Sequence, residues 1–269
     1  MSKVVVVTSG KGGVGKTTTS ASLAFGLASK GEKTVVIDFD IGLRNLDVVM
    51  GVERRVVYDL TNVVLGEATL NQALIRDKRN ENLYILPASQ TRDKDVLTEE
   101  GVEKVINELK KKFSYIICDS PAGIERGAML ALYFADEAIV TTNPEVSSVR
   151  DSDRILGILD SSSKRAKEGS DPIKQHLLIT RYDEERAGDM KMLSISDVRD
   201  ILGNDLNLIG VIPDSGDVVD SSNKGEPVIC GESLVADTYR DAVERLMGVE
   251  VPFRDLGKKK GFFTKLFGG

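Results

Sequence analysis

The chain has 269 residues, 41% hydrophobic and 29% charged, with a formal net charge of −6. This is the balance of a globular protein with ample core-forming material, and it argues against a surface built throughout to hold nucleic acid, so no nucleic-acid partner is expected. The two cysteines, Cys118 and Cys230, lie far apart and suggest neither a disulfide framework nor a zinc cluster.

In chain order, short apolar runs alternate with helical patterns. Strands are predicted at Val4–Thr8, Thr34–Asp38, Leu83–Leu86, Tyr115–Asp119, Glu137–Thr141, His176–Thr180 and Leu208–Ile212. The opening residues run straight into the first strand, leaving no room for a signal peptide. No apolar run approaches the roughly 20 residues of a membrane-spanning helix, so a cytoplasmic location is expected. Helices are predicted near Lys16–Lys30, Val102–Lys112, Ala128–Phe134, Val149–Leu159, Ile195–Leu202 and Leu234–Met247. In the first, Leu23, Leu27, Ala24 and Ala28 form a stripe at i, i+4 spacing, and Gly31 closes it. Ser161–Asp171, bounded by Asp171-Pro172, reads as a surface loop.

Nearly continuous apolar strands alternating with helices predict a doubly wound, mainly parallel α/β sheet flanked by helices. The expected organisation is one domain over residues 1–248, a linker over 249–257 containing Pro252, and a tail over 258–269. Sites in such sheets lie at the carboxyl ends of the strands.

One octet dominates the functional reading. Gly10, Lys11, Gly12, Gly13, Val14, Gly15, Lys16 and Thr17 satisfy the phosphate-loop pattern G-x-x-x-x-G-K-[ST], between a predicted strand and a predicted helix that continues through Thr18. Such a turn aims backbone N–H groups and the positive end of the helix dipole at one point, which polyphosphate prefers. Lys16 would reach the β- and γ-phosphates, and Thr17 would offer its hydroxyl to Mg²⁺. Lys11 is an addition to the pattern. Spacing leaves it either a solvated loop charge or a group aimed at a second nucleotide.

Two further strands end in carboxylates. Asp119 closes the fourth and is followed by Ser120-Pro121-Ala122-Gly123, a turn able to track the γ-phosphate; an aspartate there ordinarily holds Mg²⁺ through water. Asp38 and Asp40 close the second, and strand alternation would put them on one face with Phe39 pointing away. One would then serve the metal and the other orient an attacking water.

K-G-G-V-G-K-T-T at 11–18, V-I-D-F-D-I-G-L-R-N-L-D at 36–47, C-D-S-P-A-G at 118–123 and T-T-N-P-E at 141–145 together resemble the deviant Walker A ATPases, and within that family its septum-site determining branch nearly end to end. The resemblance implies a homodimer with ATP sandwiched between subunits, hydrolysing slowly unless activated by dimerisation, membrane and partner. It implies that Lys11 acts on the partner's nucleotide, that Asp40 positions the hydrolytic water, and that Asp38 and Asp119 stand near Mg²⁺. It also implies adenine contacts at Arg181, Pro213 and Asp214. The division inhibitor MinC and the activator MinE would dock on a surface including Asp151 and Asp153; read structurally, those two are first-turn acids favoured by a helix dipole.

The tail is of different character. Started near Gly261, a helix places Phe262, Phe263, Leu266 and Phe267 within an arc of roughly 140°, with Lys265 off it and Lys258, Lys259 and Lys260 as a basic lead-in. Basic residues beside an aromatic face describe a helix lying on an anionic phospholipid surface, and the resemblance implies the cytoplasmic face of the inner membrane. The lysines contribute about 1 kcal/mol each near such a surface. Partial burial of the apolar side chains adds about 4–6 kcal/mol, against the cost of folding a very short helix. One tail is marginal; two on a dimer act together. The single histidine, His176, falls at a strand start, so no histidine-dependent mechanism is expected.

Overall fold

The computed structural model describes residues 2–256. The tail, with Lys258, Lys259, Lys260, Phe262, Phe263, Lys265, Leu266 and Phe267, lies outside the described residues.

The chain begins with β1 (Lys3–Thr8), α1 (Lys16–Ser29), β2 (Thr34–Asp38) and three short helices, α2 (Leu46–Val49), α3 (Leu60–Val64) and α4 (Leu70–Ala73). Next come β3 (Ile75–Arg76), β4 (Leu83–Leu86), α5 (Glu99–Lys110), β5 (Tyr115–Asp119), α6 (Arg126–Tyr133), β6 (Glu137–Thr142) and α7 (Val146–Ser162). The remainder is α8 (Lys164–Glu168), β7 (Lys174–Tyr182), α9 (Glu184–Gly188), α10 (Ile195–Leu202), β8 (Asn207–Pro213), α11 (Asp217–Asn223) and α12 (Leu234–Leu246).

The strands form one sheet in the order β3-β4-β2-β5-β1-β6-β7-β8. Among the described residues only the β3–β4 pair is antiparallel. Each predicted strand is present. The expected loop at 161–171 instead carries the end of α7 and the single turn α8, which Ser163 starts by accepting a hydrogen bond from the Ala166 N–H. Residues 184–188 form the exposed single turn α9, capped by Asp183.

Strand alternation sorts the core into two layers. Val4, Val6, Val35, Ile37, Ile116 and Cys118 pack under α3 to α7 and α10. Val5, Val7, Val36 and Ile117 pack under α1 and α12. Strands buried on both faces must be apolar throughout, which explains runs such as Val4–Val7.

This topology brings the carboxyl ends of β2, β5, β1 and β6 together. Successive crossovers run to opposite sides of β1, the switch point where open α/β sheets bind ligands. At the amino edge a buried polar group closes the sheet: Glu137 accepts from Lys3 (2.9 Å) and pairs with His176 Nε2 (3.0 Å), while Asn207 Nδ2 donates to His176 Nδ1 (2.9 Å). His176 is thus a structural residue at the edge away from the phosphate loop.

Residues 249–256 have no regular structure but are pinned beside β8. The Arg245 guanidinium lies 3.9 Å from the Phe253 ring and donates to the carbonyls of Val251 (3.0 Å) and Pro252 (2.9 Å). Arg254 makes two bonds to Asp241, at 2.6 and 3.1 Å.

Candidate nucleotide-binding site

The loop after β1 enters α1 through Gly15, whose φ of 92° lies in the left-handed region that glycine tolerates best. α1 has neither a side-chain cap nor an acidic residue in its first turn. Its leading N–H groups, including those of Thr17 and Thr18, therefore meet the loop with their dipole unneutralised. Gly12 and Gly13 are exposed, and a Cβ on either would meet nothing within 4 Å. Open backbone donors around a helix start form a cradle suited to phosphate.

The two lysines of the loop are sorted to opposite sides. Lys16 is buried and its Nζ donates to Ser9 Oγ at 2.9 Å, while that hydroxyl donates to the Lys11 carbonyl at 2.7 Å. Burial lowers the Lys16 pKa, and the charges of Asp119 and Asp40 work against that shift. Lys11 points outward: its Nζ lies 2.9 Å from Glu145 Oε2 and 3.4 Å from Ser147 Oγ. The buried Thr180 hydroxyl fixes the inner wall by donating to the Val14 carbonyl at 2.7 Å. At the mouth of the loop, a Cβ on Gly10 would stand 2.4 Å from backbone atoms of Asp151 in α7.

Beneath the loop, Asp38 of β2 stands in register with Asp119 of β5. Burial raises both carboxyls above the usual range; at Asp38 the charge of Asp119 adds to it, and at Asp119 bonds from Thr17 and Ser20 and the charge of Lys16 offset part of it. Ser20 Oγ donates to Asp119 at 2.9 Å. Asp38 accepts the N–H of Asp40 (2.8 Å) and of Leu46 (3.3 Å), so its first role is to fold the 39–46 loop.

Strand alternation does not bring Asp40 to this site, contrary to expectation. β2 ends at Asp38, and a turn held by Asp38 carries Asp40 to where its charge acts on Lys16, Asp38 and Asp119. The first-turn reading of Asp151 and Asp153 also falls. α7 starts at Val146, three residues before the predicted start, so its first turn holds no acid and both residues stand exposed one turn further on.

Pro213 and Asp214 line a cavity of about 160 Å³ with Tyr182, Leu234 and Leu256. Arg181 is exposed, at the positive φ of 53°, and is not part of that lining. Sequence reasoning missed Ser9, Ser20, Thr180 and Glu145. Ser20 was within reach, since it stands one helical turn after Thr17 on the same face.

A family model described as an AAA domain, AAA_31, matches residues 2–169. The septum site-determining protein MinD of Escherichia coli K12 is 66% identical, with both chains covered in full. Among solved structures, the Aquifex aeolicus MinC:MinD cell division protein complex aligns with a TM-score of 0.84 and 40% identity, covering 95% of this chain and 100% of that one. The chain belongs to the MinD family of septum site-determining ATPases. The MinD of Pyrococcus horikoshii OT3, complexed with Mg-ADP, aligns with a TM-score of 0.79 and 30% identity, covering 91% of this chain and 96% of that one.

ATP and Mg²⁺ are the ligands of a MinD-family site, and the residues here fit them. Thr17, Asp38 and Asp119 offer the hard oxygen donors that Mg²⁺ takes, and Mg²⁺ ordinarily completes its shell with phosphate oxygens and water. Among the described residues no helix is long and apolar enough to cross a membrane.

Proposed function

We propose that this chain positions the division septum as a nucleotide-driven membrane switch. ATP in the Gly10–Thr18 cradle pairs two copies across the carboxyl edge of their sheets, each Lys11 reaching the partner's phosphates. The pair holds two tails to an anionic phospholipid surface on the cytoplasmic face of the inner membrane. There it recruits MinC and is released when MinE stimulates turnover.

The observation that carries this reading is the sorting of the lysines. Lys16 serves its own cradle from a buried position, whereas Lys11 points away from it with 40% of its side chain exposed. A second cation leaving its own site is what a shared triphosphate interface requires. Further support comes from the exposed Leu43, Ile124, Val146 and Val219. Each follows the carboxyl end of a strand, so together they offer apolar surface on the edge where a second copy would sit.

In this reading Lys16 and Lys11 neutralise developing phosphate charge from opposite sides. Asp40 orients the attacking water, and Thr17, Asp38 and Asp119 hold the Mg²⁺ side of the site. When bound, Mg²⁺ supplies charge neutralisation at the phosphates. Pro213 and Asp214 flank the base, with Arg181 outside their cavity. Asp151 and Asp153 belong to the partner-docking surface. Leu256 lines the same cavity as Pro213 and Asp214, which supports a coupling between the nucleotide site and the segment that leads to the tail.

The test is co-sedimentation with anionic liposomes in ATP and in ADP, for the full chain and for a chain lacking residues 262–269. Binding by the full chain in ATP alone, lost on truncation while ATP binding survives, is the expected result. Equal binding in both nucleotides, or by the truncated chain, would refute the switch.

A further inference from the structure

Arg79, in the turn between β3 and β4, joins parts of the chain that are remote in sequence. It pairs with Asp77, whose carboxylate accepts from Nε at 3.1 Å and from Nη2 at 2.6 Å. The Asp77 side chain is 1% exposed, so this pair fixes the direction of the guanidinium. The same fork also reaches two backbone carbonyls, that of Met50 from Nη2 (2.7 Å) and that of Gly225 from Nη1 (2.9 Å). The Phe25 ring of α1 lies 5.8 Å from the guanidinium carbon.

The two carbonyls belong to opposite ends of the nucleotide site. Met50 ends α2, which follows the loop that Asp38 folds by accepting from the N–H groups of Asp40 and Leu46. Gly225 stands just past α11, which follows the turn at Pro213 and Asp214. Their parent strands β2 and β8 have β5, β1, β6 and β7 between them, about 24 Å at ordinary strand spacing. Residues 214–225 cross that width, and α11 packs against α2. Gly51 and Gly225, at φ of 65° and 67°, are both in the left-handed region, where glycine ends a helix with no side chain in the way. Here they touch backbone to backbone: a Cβ on Gly51 would stand 2.5 Å from the Gly225 carbonyl oxygen, and one on Gly225 would stand 2.7 Å from Gly51 Cα. Arg79 seals this contact, because one cation answers carbonyls that the two helix ends leave over.

We propose that Arg79 is a positioning residue for nucleotide, tying the loop behind the metal-side carboxylates to the segment behind the base-side turn, so that one body grips both ends of the ligand. The bridge rests on the placement of Mg²⁺ and base given above. Order imposed on one segment by the phosphates is passed to the other, and the base meets a surface already set. Without the bridge each segment must be ordered separately, and the base adds less to affinity. Lysine is a poor substitute at this position. It keeps a charge beside Asp77 but lacks the planar fork that serves a carboxylate and two carbonyls together.

The measurement is calorimetric affinity of the full chain for a non-hydrolysable ATP analogue and for inorganic tripolyphosphate, both with Mg²⁺. The preference for the nucleotide over tripolyphosphate reads what the nucleoside adds. Residues in one network couple by a factor of about 2–100, so R79K should cut that preference by a factor in this range. A role confined to the fold would lower stability in urea and leave the preference as in wild type. An unchanged or increased preference in R79K overturns the bridge. If R79K does not fold, the double variant D77A/R79A, which removes both charges and strands neither, takes its place with the same expected and refuting results. Photolabelling of wild type with azido-ATP separates the bridge from the base placement beneath it. Label on the peptide holding Pro213 and Asp214, with a reduced preference in R79K, supports the bridge. Label there with an unchanged preference overturns the bridge alone, and label elsewhere overturns both.

Discussion

Replacing Thr180 by valine removes one hydroxyl and almost no volume, and it tests whether the phosphate loop is held from below. The Thr180 side chain is buried, and its single proton has three acceptors within reach: the Val14 carbonyl at 2.7 Å, Asn143 Oδ1 at 3.0 Å and the Thr142 carbonyl at 3.3 Å. The shortest bond ties the middle of the loop to β7, 166 residues away in sequence. In T180V the fully buried Val14 keeps a carbonyl without this donor, and an unsatisfied buried acceptor costs about 1–3 kcal/mol. Urea unfolding should register a loss of that size. Part of the loss falls on the loop's geometry, so a fluorescent ATP analogue should bind up to about tenfold more weakly, since 1.4 kcal/mol corresponds to a factor of ten. T180S, which keeps the hydroxyl, should restore affinity. Wild-type stability together with wild-type nucleotide affinity in T180V would refute the idea that this bond shapes the cradle.

Asp40→Ala should retain ATP-dependent pairing and lose turnover; loss of ATP binding instead would show that Asp40 serves the metal rather than the water. Gly10→Ala places a methyl 2.4 Å from the Asp151 backbone, which cannot be relieved by a rotamer change. It should weaken nucleotide binding by at least tenfold, measured by calorimetry, and unaltered binding would mean that the loop moves freely off α7. At the amino edge, burial would raise the Glu137 pKa, but bonds from His176 and Lys3 and their charges overcome it and hold it at about 2. A depressed carboxylate stabilises the fold above its unfolded pKa of about 4.3, and that stability is lost as pH falls from there toward 2. The contribution is about 2–3 kcal/mol, so E137Q should flatten the acid limb of stability between about pH 4.5 and 2, and an unchanged limb would refute the assignment.

The strands and the phosphate loop were legible because their signals are local. A parallel strand buried on both faces is a β-branched run, and a phosphate cradle is a contiguous octet. Helix starts were less legible. Val146-Ser147-Ser148 after Pro144 reads as loop, yet these residues open α7, and the shift moved Asp151 and Asp153 out of the first turn. The two-residue strand β3 and the single-turn helices α2 to α4 are too short to carry a period. Asp40 was placed beside Asp38 by an alternation that stops at Asp38, two residues too soon.

The contacts that make the site were illegible for a different reason, which the sheet order supplies. β1 pairs with β6 with Thr8 opposite Val140, and with β5 with Val7 opposite Asp119. Parallel register starts neighbouring loops side by side, so Lys11, three residues beyond Thr8, meets Glu145, five residues beyond Val140. By the same rule Asp119 arrives beneath the loop that leaves β1, within reach of Ser20. Each group was visible at the end of its own strand; which ends are neighbours depends on β1 lying between β5 and β6. Once that order is known, an acid following β6 and a cation following β1 are the first pair to examine, and the outward lysine has a partner in its own chain before any second copy arrives.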